Sequence, residues 1–304
     1  MKANYIIGIL LILLIASGCQ QGEVFGQGKD AEREQAEENQ TEMEQAGEGE
    51  ESEQEDSEGE IEKDSEQETD KEINEESEEE TVVKEEAIKE EAIKEPRYEM
   101  NEVWSFEPID DADEKVVLMT FDDAPDKHGV EMAETLHKLE VPAIFFVNGH
   151  FIESEEGQEE LKQIREMGFA IGNHTYDHPN LKEITEEEQE EQIVKLNDKI
   201  EEIIGERPKF FRAPHGANTD FVKNLVKEEG MLLMNWSFGY DFQADYMEKE
   251  ALAEIMVETE LLGNGSNLLM HDREWTHAAL PDIVSGIREK GFGFIDPEEI
   301  LIPE

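Results

Sequence analysis

Val116-Val117-Leu118-Met119-Thr120-Phe121-Asp122-Asp123-Ala124-Pro125 is an apolar run that ends abruptly in two carboxylates. A continuous apolar stretch of this length suits a strand buried on both faces. Similar runs recur at Ala143 to Val147, Phe169 to His174, Lys209 to Pro214, Gly230 to Phe238, Asn267 to Asp272 and Phe292 to Pro297. The segments between them read as helices. Thr185 with Glu188 forms a capping box. Ile193, Leu196, Ile200 and Ile203 follow at helical spacing, and Gly205 stands where that helix should stop. Leu280, Ile283, Val284 and Ile287 mark a second amphipathic helix. Strands alternating with helices imply a parallel sheet wrapped by helices. About seven such units are too few for an eight-fold barrel. The expected fold is therefore α/β, a distorted (β/α) barrel with about seven parallel strands. No glycine-rich phosphate loop follows the first strand, which argues against a nucleotide-binding sheet.

Working outward from Asp122 and Asp123, four of the later runs also end in, or are followed by, ionisable residues. His174 and His178 follow the third run, Arg212 ends the fourth, Asp241 follows the fifth and His271 ends the sixth. In a parallel barrel the strand C-termini open onto one face, so seven ionisable groups from distant parts of the chain should meet there. The spacing of His174 and His178 would put two imidazoles on one side of a helical turn. A carboxylate from Asp122 or Asp123 would complete two His and one carboxylate, a catalytic zinc arrangement with a position left for water. Non-haem iron uses the same ligand types. A bound metal lowers the pKa of its water toward 7. The remaining aspartate could take that water's proton, and His271 could protonate a departing amine. Those parts suffice to hydrolyse an amide.

Thr120-Phe121-Asp122-Asp123-Ala124-Pro125, His174-Thr175-Tyr176-Asp177-His178, Arg212-Ala213-Pro214-His215-Gly216 and Leu269-Met270-His271 stand in this order. The set resembles the polysaccharide deacetylase domain (NodB-homology domain) of carbohydrate esterase family 4, over about Lys115 to Pro297. The resemblance implies a distorted (β/α) barrel and assigns roles residue by residue. Asp122 is then the general base, and Asp123, His174 and His178 hold a divalent metal, Zn2+ first and Co2+ or another transition metal next. Arg212 orients Asp122, the backbone N–H of His215 stabilises the oxyanion, and His271 is the general acid. Asp241 holds His271 and favours its protonated form. The family usually has glycine at the place of Ala124, so the turn after Asp123 is expected to differ slightly. It usually reads Asp-Trp where this chain has Asp241-Phe242, so Phe242 is expected as an apolar wall for the acetyl methyl. Trp236 reads as core. Trp275 is a candidate for stacking on a sugar ring, and loop packing is its plainer reading. His128, His137, His150 and His277 carry no expected role.

The first third of the chain is different. Lys2, an apolar run from Tyr5 to Ala16, and then Ser17-Gly18-Cys19 describe a secretory leader over residues 1–18. Ala16-Ser17-Gly18-Cys19 also resembles a bacterial lipoprotein box, which implies cleavage before Cys19 and lipidation of its thiol. Residues 19–96 are Glu-rich, with about 32 acidic and 7 basic residues between Gln20 and Glu95. Such a stretch lacks the apolar surface to offset its ordering entropy and reads as a disordered tether. The folded domain is expected over 97–304. The whole chain of 304 residues has a formal net charge of -54. That disfavours nucleic acid, whose phosphates need Lys and Arg. One cysteine excludes an intrachain disulfide.

Together these readings describe a lipid-anchored enzyme on the outer face of a bacterial cytoplasmic membrane. Its expected substrate is an N-acetylated polysaccharide, with peptidoglycan N-acetylglucosamine favoured. N-acetylmuramic acid comes next, and chitin-like oligomers, an N-acetylglucosamine exopolysaccharide and acetylated xylan are the further alternatives, as is a wall-binding protein without turnover.

Overall fold

The computed structural model describes residues 94–303. The expected leader 1–18, the Cys19 lipidation site and the acidic stretch up to residue 93 lie outside the described residues. The chain enters with a short antiparallel pair, β1 (Tyr98–Met100) and β2 (Phe106–Pro108). Eight parallel strands follow: β3 (Val116–Ala124), β4 (Ala143–Val147), β5 (Ala170–Asn173), β6 (Phe210–Phe211), β7 (Leu232–Leu233), β8 (Phe238–Gly239), β9 (Ser266–His271) and β10 (Gly293–Phe294). Seven lie in the order β7-β6-β5-β4-β3-β9-β8, and β10 pairs with the start of β3. The sheet curls into a half-barrel. The helices α1 (Gly129–Lys138), α2 (Glu155–Glu166), α3 (Glu186–Ile204), α4 (Asp220–Glu228), α5 (Lys249–Glu258) and α6 (Glu274–Glu289) connect its strands.

Strand alternation sorts the core. Side chains two apart share a face. Val117, Met119 and Phe121 of β3 and Ala143, Phe145 and Val147 of β4 pack against the helices, in one cluster with Met132, Leu136, Ile164, Leu196 and Ile283. Val116 and Leu118 point the other way, into a cluster with Ile144, Phe146, Phe210 and Leu232. Tyr98 and Phe106 of the β1/β2 pair join that inner cluster. The hairpin is tied to the ends where strands begin, since Phe106 N–H donates to Gly265 O at 2.8 Å. Along the inner face of β3 the register continues from Leu118 to Thr120 and Asp122. The interior therefore turns from apolar to polar toward the strand C-termini.

Two elements depart from the sequence reading. Gly230 to Phe238 is not one strand but β7 and β8, at opposite ends of the sheet order. Four residues, 234–237, cross the gap between the sheet edges. Asn235 O cannot pair as a strand carbonyl there and is satisfied by side chains instead, Arg212 Nη2 (2.9 Å) and Asn267 Nδ2 (3.0 Å). Gly239 lets β8 lie close on β9, because a Cβ there would meet Leu269 O at 2.5 Å. The expected helix α3 has its capping box, Thr185 with Glu188, and ends at Gly205 with φ 82°. The last helix starts at Glu274, so Trp275 belongs to its first turn rather than to a loop.

Candidate active site

The strand ladder continues past the strand ends and delivers the polar residues side by side. Asp122 is the register partner of His271. His174 N–H donates to Val147 O (2.9 Å), and Arg212 N–H to Asn173 O (3.0 Å). Asp122, Asp123, His174, His178, His215, Asp241, Phe242, His271 and Trp275 all line one cavity of about 520 Å³. Arg212 lies beneath it, fully buried. All ten residues expected at the site are therefore gathered at the C-terminal face.

One carboxylate oxygen and two imidazole nitrogens, from Asp123, His174 and His178, lie within 4.8 Å of one another. His174 Nδ1 is 2.7 Å from Arg212 O. A ring nitrogen facing a carbonyl carries the proton, which leaves Nε2 as the free lone pair, pointing at the carboxylates. Burial pushes the pKa of His174 down, and burial with the neighbouring His174 pushes His178 down to about 4. Neutral imidazoles beside an anionic carboxylate are a donor set suited to a divalent transition metal.

The two histidines do not sit on a helical turn, as their spacing suggested. Residues 174–178 form a loop in which Thr175 (φ 68°) and His178 (φ 58°) adopt left-handed backbone. Such conformations are uncommon outside glycine and persist only where surroundings hold them. Asn148 Nδ2 donates to the carbonyls of His174 (2.7 Å) and Thr175 (3.1 Å), and Asn173 Oδ1 accepts from Thr175 N–H (2.8 Å). Neither asparagine was singled out from the sequence. The available signal was their position, Asn148 directly after an apolar run and Asn173 as the last residue but one of another. Nor does Ala124 need positive φ. It lies buried within β3, and the left-handed residue is Asp123, with φ 62°.

Two ion pairs flank the trio. Arg212 Nη1 donates to Asp122 Oδ1 (2.7 Å) and to Thr120 Oγ1 (2.8 Å), and its guanidinium lies over the Phe146 ring. The other oxygen of Asp122 is 3.5 Å from His174 Nε2. On the opposite side His271 Nδ1 is 2.8 Å from Asp241 Oδ1, while Asp241 Oδ2 accepts from His271 N–H (2.5 Å) and Thr276 Oγ1 (2.8 Å). Burial disfavours a charged His271, but the Asp241 hydrogen bond and charge outweigh it, so its pKa is raised. Trp275 Nε1 donates to Asp241 O (2.8 Å). Phe242 is half exposed and stands edge-on to His271. Trp236, read as core, lines the cavity instead, together with Met247, Leu269 and Arg273.

A family model described as polysaccharide deacetylase matches residues 109–234. A chitooligosaccharide deacetylase from Azorhizobium caulinodans is 32% identical over 197 residues, which cover 58% of this chain and 90% of that protein. The chain belongs to the polysaccharide deacetylase family. Within that family, a peptidoglycan-N-acetylglucosamine deacetylase from Bacillus cereus is 30% identical over 188 residues, covering 59% of this chain and 66% of that one. Among solved structures, the peptidoglycan deacetylase PdaC from Bacillus subtilis superposes with a TM-score of 0.55 at 27% identity, covering 62% of this chain and 90% of that one. A CE4 family pseudoenzyme from Bacillus anthracis gives 0.56 at 25%, covering 62% and 68%. Three of the curated relatives are longer proteins, of which the chain spans 66%, 52% and 42%.

Proposed function

We propose that this polysaccharide deacetylase is a metal-dependent hydrolase that removes N-acetyl groups from an extracellular amino-sugar polymer. The observation that carries the reading is the pairing of Arg212 with Asp122 and of Asp241 with His271 on either side of one metal-ligand trio. Asp123, His174 and His178 would hold the metal, Zn2+ first and Co2+ next. When bound, it supplies a polarised acetyl carbonyl and a water of lowered pKa. Asp122 then accepts the proton of the attacking water, held in place by Arg212. The N–H of His215 donates to the oxyanion that develops on the acetyl carbonyl. His271, charged because Asp241 holds its Nδ1, gives the Nε2 proton to the departing amine. Phe242 walls the acetyl methyl, and Trp275 offers a face to a sugar ring. The products are acetate and a free amino sugar.

The favoured substrate is N-acetylglucosamine of peptidoglycan. Apart from metal, the one Lys or Arg among the described residues that line the cavity is Arg273, and it is already engaged by Asp123 and Asp272 O. Among the described residues, a sugar that carries its own carboxylate finds no unengaged Lys or Arg in that wall. The names of the Bacillus cereus and Azorhizobium relatives agree with a neutral N-acetyl sugar. A leader over 1–18, a lipid on Cys19 and an acidic tether would place the domain on the outer face of a bacterial membrane, beside the wall. Replacing Cys19 by Ala should then release the protein from the membrane fraction, and retention of the variant would remove the anchor.

The deciding experiment is acetate release from N-acetylglucosamine oligomers and purified peptidoglycan, with the protein metal-stripped and then zinc-reconstituted. Zinc-dependent release, lost in Asp122→Asn and His174→Ala, is the expected result. Likeness to a pseudoenzyme favours one second reading, a wall-binding protein without turnover. No release by folded, zinc-loaded protein, with retained binding to peptidoglycan, would establish that instead.

A further inference from the structure

Arg273 follows the general-acid segment His271-Asp272, and nothing in the reaction described above uses it. Its Nη2 donates to Asp123 Oδ2 at 2.7 Å, and its Nη1 donates to Asp272 O at 2.8 Å. Asp123 Oδ1 faces the other way, 3.4 Å from His178 Nε2 and 3.9 Å from His174 Nε2. One oxygen of the carboxylate is therefore aimed at the imidazoles, and the other is held by a guanidinium.

The guanidinium is itself fixed. Asp272 N–H donates to Asp122 O (3.0 Å), so the backbone just before Arg273 continues the β3–β9 ladder. The buried Asp272 carboxylate accepts from the N–H groups of Asp126 (2.7 Å), Lys127 (3.2 Å) and His128 (2.7 Å). The pair Asp272-Arg273 thus clamps the segment after Asp123 at both ends, the carboxylate through side chain and the following loop through backbone.

We propose that Arg273 is a positioning residue that restricts Asp123 to one-oxygen ligation of the metal, which keeps a coordination position open for water and the acetyl oxygen. The inference rests on the metal-dependent reading of this site. A free carboxylate can give a metal one oxygen or two. With two imidazoles, two-oxygen binding would fill four positions, so water and a second oxygen could enter only as fifth and sixth ligands, where one-oxygen binding leaves them the fourth and fifth. A charge-assisted hydrogen bond from a planar guanidinium removes the second oxygen from that choice.

The test is the visible spectrum of the full chain, metal-stripped and reconstituted with Co2+, whose absorption is strong at four or five ligands and weak at six. The wild type should show the strong band. Arg273→Ala should lose most of that intensity with Co2+ still bound, and kcat should fall about 10–100-fold with KM little changed. Arg273→Lys keeps a point charge without the fork and should recover part of both. Arg273→Met keeps the apolar stem and carries the test if the alanine variant does not fold. A wild-type spectrum in folded, cobalt-loaded Arg273→Ala or Arg273→Met overturns the inference alone. Failure of the wild type to bind Co2+ or Zn2+ overturns the metal reading and this inference with it.

Discussion

His271 shows how a single contact decides what a side chain can do. Buried without a partner, an imidazole would stay neutral, because burial disfavours the charged form. Both oxygens of Asp241 are spent on this residue and on Thr276, one on Nδ1 and one on the backbone N–H. The net pKa is raised, so the proton stays on Nε2 to higher pH. Turnover that needs this proton falls as pH rises through that pKa. Asp241→Asn removes the charge and leaves the burial, so the pKa drops. The alkaline limb of the kcat profile should therefore move to lower pH, with kcat reduced by up to about 100-fold and bound metal unchanged. An alkaline limb that does not move would detach Asp241 from proton delivery. At this scale the sequence was informative where a residue type is rare and costly. Two aspartates, two histidines and an arginine at the ends of apolar runs are hard to explain otherwise. Arg273, Asn148 and Asn173 were not legible. Arg273 looks like any surface cation until its fork is seen on Asp123, and buried asparagines declare themselves only through the carbonyls they satisfy.

The loop from His174 to His178 is where element-level reading failed most usefully. Helical spacing of the two histidines was a sound inference from periodicity, yet two left-handed residues carry out the same convergence. Sequence pattern does not report positive φ unless glycine marks it, and here Thr175 and His178 occupy those positions. The split of Gly230 to Phe238 has a similar cause. β7 and β8 are two residues each, too short for alternation to separate them from the crossing segment. β3, β4 and β9 were legible as continuous apolar runs buried on both faces, and the helices with a cap and an apolar stripe by their period. The loop's geometry is held by side chains, and Asn148 is the strongest single support. Asn148→Ala leaves the carbonyl of His174 without its buried donor and that of Thr175 with the N–H of Gly149 at 3.3 Å. Urea unfolding of the metal-free protein should show a loss of about 1–3 kcal/mol. Zinc affinity measured by competition with a chromophoric chelator should fall about 10–100-fold, because the lost partner orients a ligand. Lost stability with intact affinity would mean that the two imidazoles converge without this support.

Charge is a property of the whole chain. Of 80 acidic residues, about 32 lie before Pro96, which leaves about 48 from Arg97 onward against about 18 lysines and arginines. Even if every cation formed an ion pair, some 30 carboxylates would have no basic partner. Two effects of salt then compete. Salt weakens the surface pairs, such as Lys138 with Glu134 and Lys223 with Asp220, but each is worth only about 0–1 kcal/mol. It also screens repulsion among the unpaired carboxylates, which are more numerous and act over the Debye length. That length falls from about 30 Å at 0.01 M to about 3 Å at 1 M. Repulsion in the compact state is relieved more than in the expanded one, so added NaCl should stabilise the fold. The thermal midpoint of the zinc-free chain should rise across that range, by about 2–4 °C for each kcal/mol of repulsion removed. A midpoint that falls with NaCl would show that the ion pairs outweigh the excess. The acidic surface would then be held together by its few cations, such as Arg207 among Asp198, Glu201 and Glu229.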